Sequence, residues 1–203
     1  MDILTRRQMM KFGATGLAIV ASGGALASPL PDQVSPALLG RARAALRRHQ
    51  GRLNHTDRIG IVDFSRPSSA PRFFVVDMAS GQTMAHLVAH GRGSDPAHTG
   101  WVQRLSNVPG SFASSGGAYV TCDAYNGEHG RSMRLEGLDT ANSNVEARAI
   151  VVHAAWYVNP EMARITGLIG RSEGCFAMSN SSRDAVMALL GRSEERRVGK
   201  ECA

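Results

Sequence analysis

The feature that most limits how this chain can fold is its punctuation after residue 59. Short β-prone runs alternate there with clusters of Gly, Ser, Pro and Asn. Ile59–Asp63, Arg72–Met78 and Thr83–His90 read as strands, the last two joined by the turn-like tetrapeptide Ala79-Ser80-Gly81-Gln82. Ala118–Cys122, Ser132–Leu135 and Arg148–His153 add three more. The stretch between 91 and 117 is rich in Gly, Ser and Pro, with Ser106–Gly110 and Ser114–Gly117 as its clearest loop segments. Loops this long in a compact domain are usually functional, and a substrate wall or flap is the expectation. The chain has no internal repeats and no low-complexity tracts.

Ahead of the strands the period is helical. Ser35-Pro36 has the form of an N-cap followed by proline at the first helical position. Leu38, Leu39, Ala42, Ala45 and Leu46 then recur at helical spacing, which predicts an amphipathic helix over 36–49. Its other face carries Arg41, Arg43, Arg47 and Arg48. Packing on the domain with a solvated basic face is the favoured reading over contact with an anionic polymer or membrane.

Both ends read as something other than the domain. Thr5-Arg6-Arg7-Gln8-Met9-Met10-Lys11 matches the twin-arginine export pattern, and an apolar Gly/Ala-rich stretch follows from Phe12 to Ala27. It closes on Ala25-Leu26-Ala27, a small-x-small site for cleavage before Ser28. Residues 1–27 are therefore expected to be a signal peptide, with the remainder working in the periplasm or cell envelope. At the other end, 192–203 reads RSEERRVGKECA and resembles a translated adapter joined to a shortened reading frame. The chain's only lysines are Lys11 and Lys200, whereas residues 28–191 hold 16 Arg. This tail, with Cys202, is set aside. The organisation expected is an N-terminal segment over 28–58 with the helix, and a domain over 59–191 that is cut short at its C-terminal end.

Trimming the ends changes the charge argument. The whole chain carries a formal +6, but residues 28–191 have 16 Arg against 13 Asp and Glu, a net +3. That is too mild for a nucleic-acid binder, and none is expected as a partner. The 164 residues suffice for one core. They hold two cysteines, Cys122 and Cys175. An oxidising compartment permits a disulfide between them, which would disable Cys175. Cys122 lies on a strand-like run and reads as a small buried apolar residue. No Cys/His grouping has zinc spacing, so no metal is expected.

The chemistry concentrates in 151–180. His153 stands on an apolar strand-like run, and Cys175 closes the tight segment Gly170-Arg171-Ser172-Glu173-Gly174-Cys175. A thiol and an imidazole brought together are what acyl transfer through a thioester needs: nucleophile, and acid–base partner. His153 as imidazolium would stabilise the Cys175 thiolate. Gly174, lacking Cβ, allows a sharp turn and leaves the Cys175 amide able to face a developing oxyanion. Ser172 is expected to hydrogen-bond within this turn and, as a member of the catalytic group with Gly174, to help steer the substrate. Arg171 has two readings of equal weight, a bidentate contact to a substrate carboxylate or a loop-holding pair with an internal acid. His90 and Ser94 of His90-Gly91-Arg92-Gly93-Ser94, and Arg131 of His129-Gly130-Arg131, lie at strand ends and are candidates for substrate contact. Trp101, Trp156 and Tyr157 could line a pocket, with a place in the core as the default.

The stretch 151–180 resembles the active-site segment of the L,D-transpeptidases of bacterial cell-wall synthesis, the YkuD-like catalytic domain. That family carries a His on a strand, a gap, then Ser/Thr-His-Gly-Cys; here the matching residues are His153, Ser172, Glu173, Gly174 and Cys175. Glu173 stands where the family has a second His, and the gap is slightly longer. Both features are similar to a smaller subfamily of murein L,D-transpeptidase catalytic domains that read Gly-Arg-Ser-x-Gly-Cys. IVDFSRPSSAPRFFVVDM, LVAHGRGSD, SNVPGSFASSGGAYVT and GRSMRLEGLD are similar to it as well, so the resemblance covers about 59–180. It implies a mainly β, compact, mixed sandwich-like domain with short helices. It implies a cysteine-dependent acyltransferase acting on peptidoglycan stem peptides, with a backbone carbonyl near Ala154 orienting His153 and with no cofactor. A monomer is expected. Against this stand an L,D-carboxypeptidase, a Cys/His wall endopeptidase, and a non-catalytic peptidoglycan-binding module on the same fold. In common wall endopeptidases the Cys precedes the His, the reverse of the order here.

Overall fold

The computed structural model describes residues 33–191. The expected signal peptide and the C-terminal tail lie outside them. Within them the chain forms a three-stranded sheet, a four-stranded sheet and three helices.

Helix α1 spans Pro36–Arg48, capped by Ser35, whose side chain accepts from the Leu38 N–H at 3.2 Å. The first sheet is an antiparallel meander of β1 (Arg58–Val62), β2 (Phe73–Asp77) and β3 (Thr83–His86). The β2–β3 turn is set by Asp77, whose carboxylate accepts from the N–H groups of Ala79 and Ser80 at 3.1 and 2.9 Å. All of β2 from Phe73 to Val76 is buried, because the sheet is covered on both faces. By strand alternation Phe73 and Val75 point into the main core, while Phe74 and Val76 point to α1 and pack with Leu38, Leu39 and Ala42. The predicted helix thus buries its apolar face on this sheet, the favoured reading of its arginine-rich side.

The second sheet runs β4 (Tyr119–Gly127), β5 (Gly130–Gly137), β6 (Val151–Ala154) and β7 (Phe176–Met178). β4 and β5 make a hairpin around Glu128-His129, with Gly130 at φ +71°. β5 and β6 are antiparallel, but β6 and β7 are parallel, with His153 opposite Ala177. The parallel pair requires a crossover, supplied by α2 (Pro160–Thr166), which Gly167 ends in the left-handed conformation. Helix α3 (Asn180–Leu190) follows β7 and delivers Val186 and Met187 to the core between the sheets. That core joins Phe73 and Val75 to Met133, Leu135, Val152, Phe176 and Met178.

The expected strand over Thr83–His90 is shorter than its apolar pattern. Beyond His86 the chain leaves the meander and runs along the β7 side instead. Ala89 N–H donates to Ala177 O at 2.9 Å, Ser172 N–H to His90 O at 2.9 Å, and Arg92 N–H to Ser172 O at 2.7 Å. The loop over 91–117 therefore starts beside the segment that carries Cys175.

Candidate active site

Strand alternation puts His153 and Cys175 on one face. Val152, Phe176 and Met178 point into the main core, so Val151, His153 and Ala177 point the other way. Cys175 precedes Ala177 by two residues and shares its side of the sheet. The Val151 N–H reaches the Cys175 sulfur, and the thiol lies 3.5 Å from Ala149 O. Cys175 is a free thiol, so the Cys122–Cys175 disulfide does not form; Cys122 is buried in β4.

The turn before Cys175 is held by its own serine and by the long loop. Ser172 Oγ donates to Cys175 O at 2.7 Å and accepts from the Gly174 N–H at 3.2 Å. Ser114 Oγ donates to Gly174 O at 3.3 Å. The Cys175 amide is committed to none of these bonds. Gly174 has φ +123°, and a Cβ there would stand 2.9 Å from Ala113 O. Gly91 is equally constrained: its Cβ would meet Phe112 O at 2.3 Å and the Gly174 Cα at 2.9 Å. These two glycines let the loop pass directly against the Cys175 turn.

His153 is 3% exposed, and its Nδ1 lies 2.9 Å from Ala154 O. A carbonyl can only accept, so Nδ1 carries the proton and Nε2 is the ring nitrogen with a lone pair. The exposed His129, at the tip of the β4–β5 hairpin, stacks on His153 with ring centroids 4.2 Å apart and planes 21° from parallel. Burial pushes the His153 imidazole below its ordinary value, and the neighbouring His129 and Arg183 add to this against the Ala154 hydrogen bond. Burial pushes the Cys175 thiol up, as does Glu173, against the Val151 N–H and Arg148. Desolvation thus works against the charged form of both groups, and so against the expected imidazolium–thiolate pair. The arrangement suits a neutral imidazole that takes the thiol proton as the sulfur attacks.

Other expected site residues have different fates. His90 is fully buried, with Nδ1 at 2.7 Å from Arg72 Nη2 and Nε2 at 3.4 Å from Asp95 Oδ2. Ser94 is fully buried and accepts from the Ser114 N–H at 3.0 Å. Both are inside, because the 91–117 loop folds over the strand end that the sequence leaves open. Arg171 holds the loop, but through the carbonyls of Asp95 and Pro96 (3.1 Å to the latter) rather than through an acid. Arg131 stays more than half exposed beside the tip of the His129 hairpin, 3.8 Å from Asp184. Trp101 and Trp156 are 50% and 82% exposed, so neither is a core residue.

Three further residues, Arg148, Arg92 and Phe112, reach the site without a local signal, and Tyr157, a pocket candidate from the sequence, joins them. Arg148 donates to Ser106 O at 2.6 Å, to Ser115 Oγ at 2.7 Å and to Ala113 O, and its charge reaches Cys175. Tyr157 is pushed up to about 12 by burial, then by Cys175 and Glu173, which places its phenol near both. Arg92 Nη2 donates to Glu173 Oε1 at 3.0 Å, and its guanidinium lies 3.8 Å above the Phe112 ring. A helical-wheel or strand pattern does not detect Arg148, Arg92 or Phe112, since each depends on loop tertiary structure. A separate cleft of about 530 Å³, lined by residues including His86, Val158 and Ser182, contains neither Cys175 nor His153. Among the described residues no group of three His, Cys, Asp or Glu is placed to hold a metal ion, and no helix is long and apolar enough to cross a membrane.

Comparison with known proteins returns one match. No curated protein and no solved structure matches the chain. The L,D-transpeptidase catalytic domain family matches residues 31–195, a span that takes in both sheets, the His153 strand and the Cys175 turn. With most of the chain inside that match and a mainly β two-sheet fold around the histidine and the cysteine, the chain belongs to the L,D-transpeptidase catalytic domain family, whose activity is directed at peptidoglycan.

Proposed function

We propose that the protein is a cysteine-dependent L,D-transpeptidase that works through a thioester on peptidoglycan stem peptides. The observation that carries this is the shared face of His153 and Cys175, with the Ala154 carbonyl fixing the imidazole tautomer. Cys175 Sγ attacks the carbonyl between the L-centre of diaminopimelate and a terminal D-alanine. His153 Nε2 takes the thiol proton as the C–S bond forms. It returns that proton to the departing D-alanine nitrogen as the C–N bond breaks. The Cys175 amide, left out of the turn's own hydrogen bonds, is placed to donate to the oxyanion. An amine on a second stem then takes the acyl group, giving a cross-link, or water takes it, giving a trimmed stem. The chemistry needs no metal or organic cofactor. The substrate places the working protein in the periplasm or envelope, in keeping with the twin-arginine pattern at Arg6 and Arg7.

The test is intact mass after mixing the protein with a disaccharide tetrapeptide, with Cys175→Ala run beside it. The expected result is an adduct equal to the donor less D-alanine, labile to hydroxylamine and absent from the variant. A folded parent that yields neither adduct nor product overturns the reading.

A further inference from the structure

This inference rests on the acyl-transfer reading above and concerns the second half of the reaction. Glu173 lies two residues before Cys175, and its side chain is 68% exposed. A negative charge in that place works against a thiolate, and Glu173 raises both Cys175 and Tyr157. In the free protein the charge is a handicap to the first step. It becomes useful when a cation binds beside the sulfur.

Glu173 is presented together with a guanidinium. Arg92 Nη2 donates to Glu173 Oε1 at 3.0 Å, and Arg92 is half exposed. The two backbones are tied: Arg92 N–H donates to Ser172 O at 2.7 Å, one residue from Glu173. The Arg92 guanidinium is seated 3.8 Å over the Phe112 ring. Phe112 is itself fixed, at φ +53° with its carbonyl accepting from the Gly93 N–H at 2.9 Å. An ion pair this exposed is weak in water, so a ligand can part it, and Phe112 keeps the guanidinium in place when it does.

We propose that Arg92 and Glu173 form the acyl-acceptor subsite and select an acceptor that carries an ammonium and a carboxylate on one carbon. The ammonium replaces Arg92 at the Glu173 carboxylate, and the acceptor carboxylate replaces Glu173 at the Arg92 fork. One charge pair is exchanged for two. The ammonium releases one proton to solvent. The free amine forms the C–N bond to the thioester carbon, and the C–S bond breaks. The second amine proton passes through His153 to the departing Cys175 sulfur. Water carries neither charge and gains nothing from this subsite, so the pair tilts the acyl-enzyme toward transfer over hydrolysis.

The experiment follows the acyl-enzyme made by the full chain from a tetrapeptide donor and chased with D-methionine or D-methionine methyl ester. Mass spectrometry gives the ratio of aminolysis to hydrolysis. The parent is expected to favour the free amino acid over its ester by about tenfold, the worth of one charge-assisted contact. Arg92→Gln erases that preference. Glu173→Gln lowers the transfer-to-hydrolysis ratio by about tenfold, while its acylation step speeds up because the charge opposing the thiolate is gone. Acylation in each variant reports that it is folded. The reversed pair, Arg92→Glu with Glu173→Arg, keeps a strap across the loop but inverts the subsite, and is expected to stay poor in transfer. Recovery of the parent ratio in the reversed pair, or an unmoved ratio in Glu173→Gln, overturns the subsite while leaving the acyl-transfer reading intact. A parent that never acylates overturns both.

Discussion

Cys175 and His153 each find it harder to carry charge in the fold than in water, and this sets how the thiol should behave before substrate arrives. The thiol sits beside Ala149 O at 3.5 Å, under the influence of Glu173, while the imidazole is stacked beneath His129 and donates to Ala154 O. A pre-formed thiolate would alkylate quickly at neutral pH. Here iodoacetamide is expected to react slowly with Cys175 at pH 7, with a rate that climbs as pH rises past the ordinary thiol value. A rate plateau already reached by pH 7 would show instead that His153 holds the thiolate. The same residues set the acidic limit of turnover. A lowered His153 keeps its base form into mildly acidic solution, so acylation should fall only below the ordinary histidine range, with His153→Ala losing about a hundredfold or more at any pH. Gly174→Ala should fail for a steric reason. The new Cβ meets Ala113 O at 2.9 Å on a backbone with φ +123°, a strain of about 1–3 kcal/mol that the turn relieves only by moving the Cys175 amide. Loss of acylation with a modest fall in melting temperature is the expected pair of readings. The tight turn at Gly174 and the Ser172 hydroxyl bonded within it were legible in the sequence because both are local features. The burial of His90 and Ser94 was not legible, because a residue at a strand end looks open until the loop that covers it is folded.

The 91–117 loop acts as an element of the site although it contains almost no regular structure. Gly91 pairs with Ser172 in an isolated parallel bridge, Ser114 binds Gly174 O, and Arg148 gathers the loop carbonyls of Ser106 and Ala113. Arg148 thereby fixes the far side of the loop against the Cys175 turn by charge-assisted hydrogen bonds worth about 1.5–3 kcal/mol each. Arg148→Gln should loosen the loop without unfolding the sheets. Hydrogen exchange would show faster exchange confined to 106–115, and acylation would fall by about tenfold if the loop positions the turn. Unchanged exchange in the loop would mean the clamp is redundant. The element scale also shows why part of the fold escaped sequence reading. The meander, the β4–β5 hairpin and α1 have periodicities long enough to recognise. β7 has three residues, Phe176–Met178, all buried, so there is no alternation to read. Helix α2, of seven residues, is announced only by Asn159-Pro160 and Gly167. The parallel crossover that joins His153 to Cys175 was therefore visible as a motif before it was visible as a structure.

At the scale of the whole molecule, one buried polar network joins the edge of β2 to the strand end and the long loop and makes stability depend on pH. Arg72 is fully buried and donates to Val88 O through Nε and Nη2 at 3.0 and 2.9 Å, and to Arg66 O through Nη1 at 3.1 Å. Burial lowers its guanidinium to about 10, which still leaves it charged at neutral pH. Because Arg72 can only donate, His90 Nδ1 must accept, and the proton on Nε2 faces Asp95, whose carboxylate also accepts from Thr99 and Gly100. Protonating His90 would put a second cation against Arg72. Burial and Arg72 accordingly lower His90 to about 4, against the pull of Asp95. The unfolded chain, with an ordinary histidine, binds more protons than the fold between about pH 4 and 6.5. Stability is thus fully present above the upper value and is lost as pH falls toward the lower, by on the order of 3 kcal/mol for His90. His86 and His153, lowered by burial, act with the same sign. His90→Gln keeps an acceptor for Arg72 but does not titrate. Urea unfolding at pH 7, 5.5 and 4.5 should find the variant weaker at pH 7, with a shallower loss on acidification, so that the two stability curves converge toward pH 4. Parallel curves would place the acid sensitivity elsewhere. The converging result would show that the contact between β2, the covered strand end and the long loop rests on a histidine kept neutral, which ties the Cys175 turn, bonded to the His90 carbonyl through the Ser172 N–H, to the protonation of that side chain.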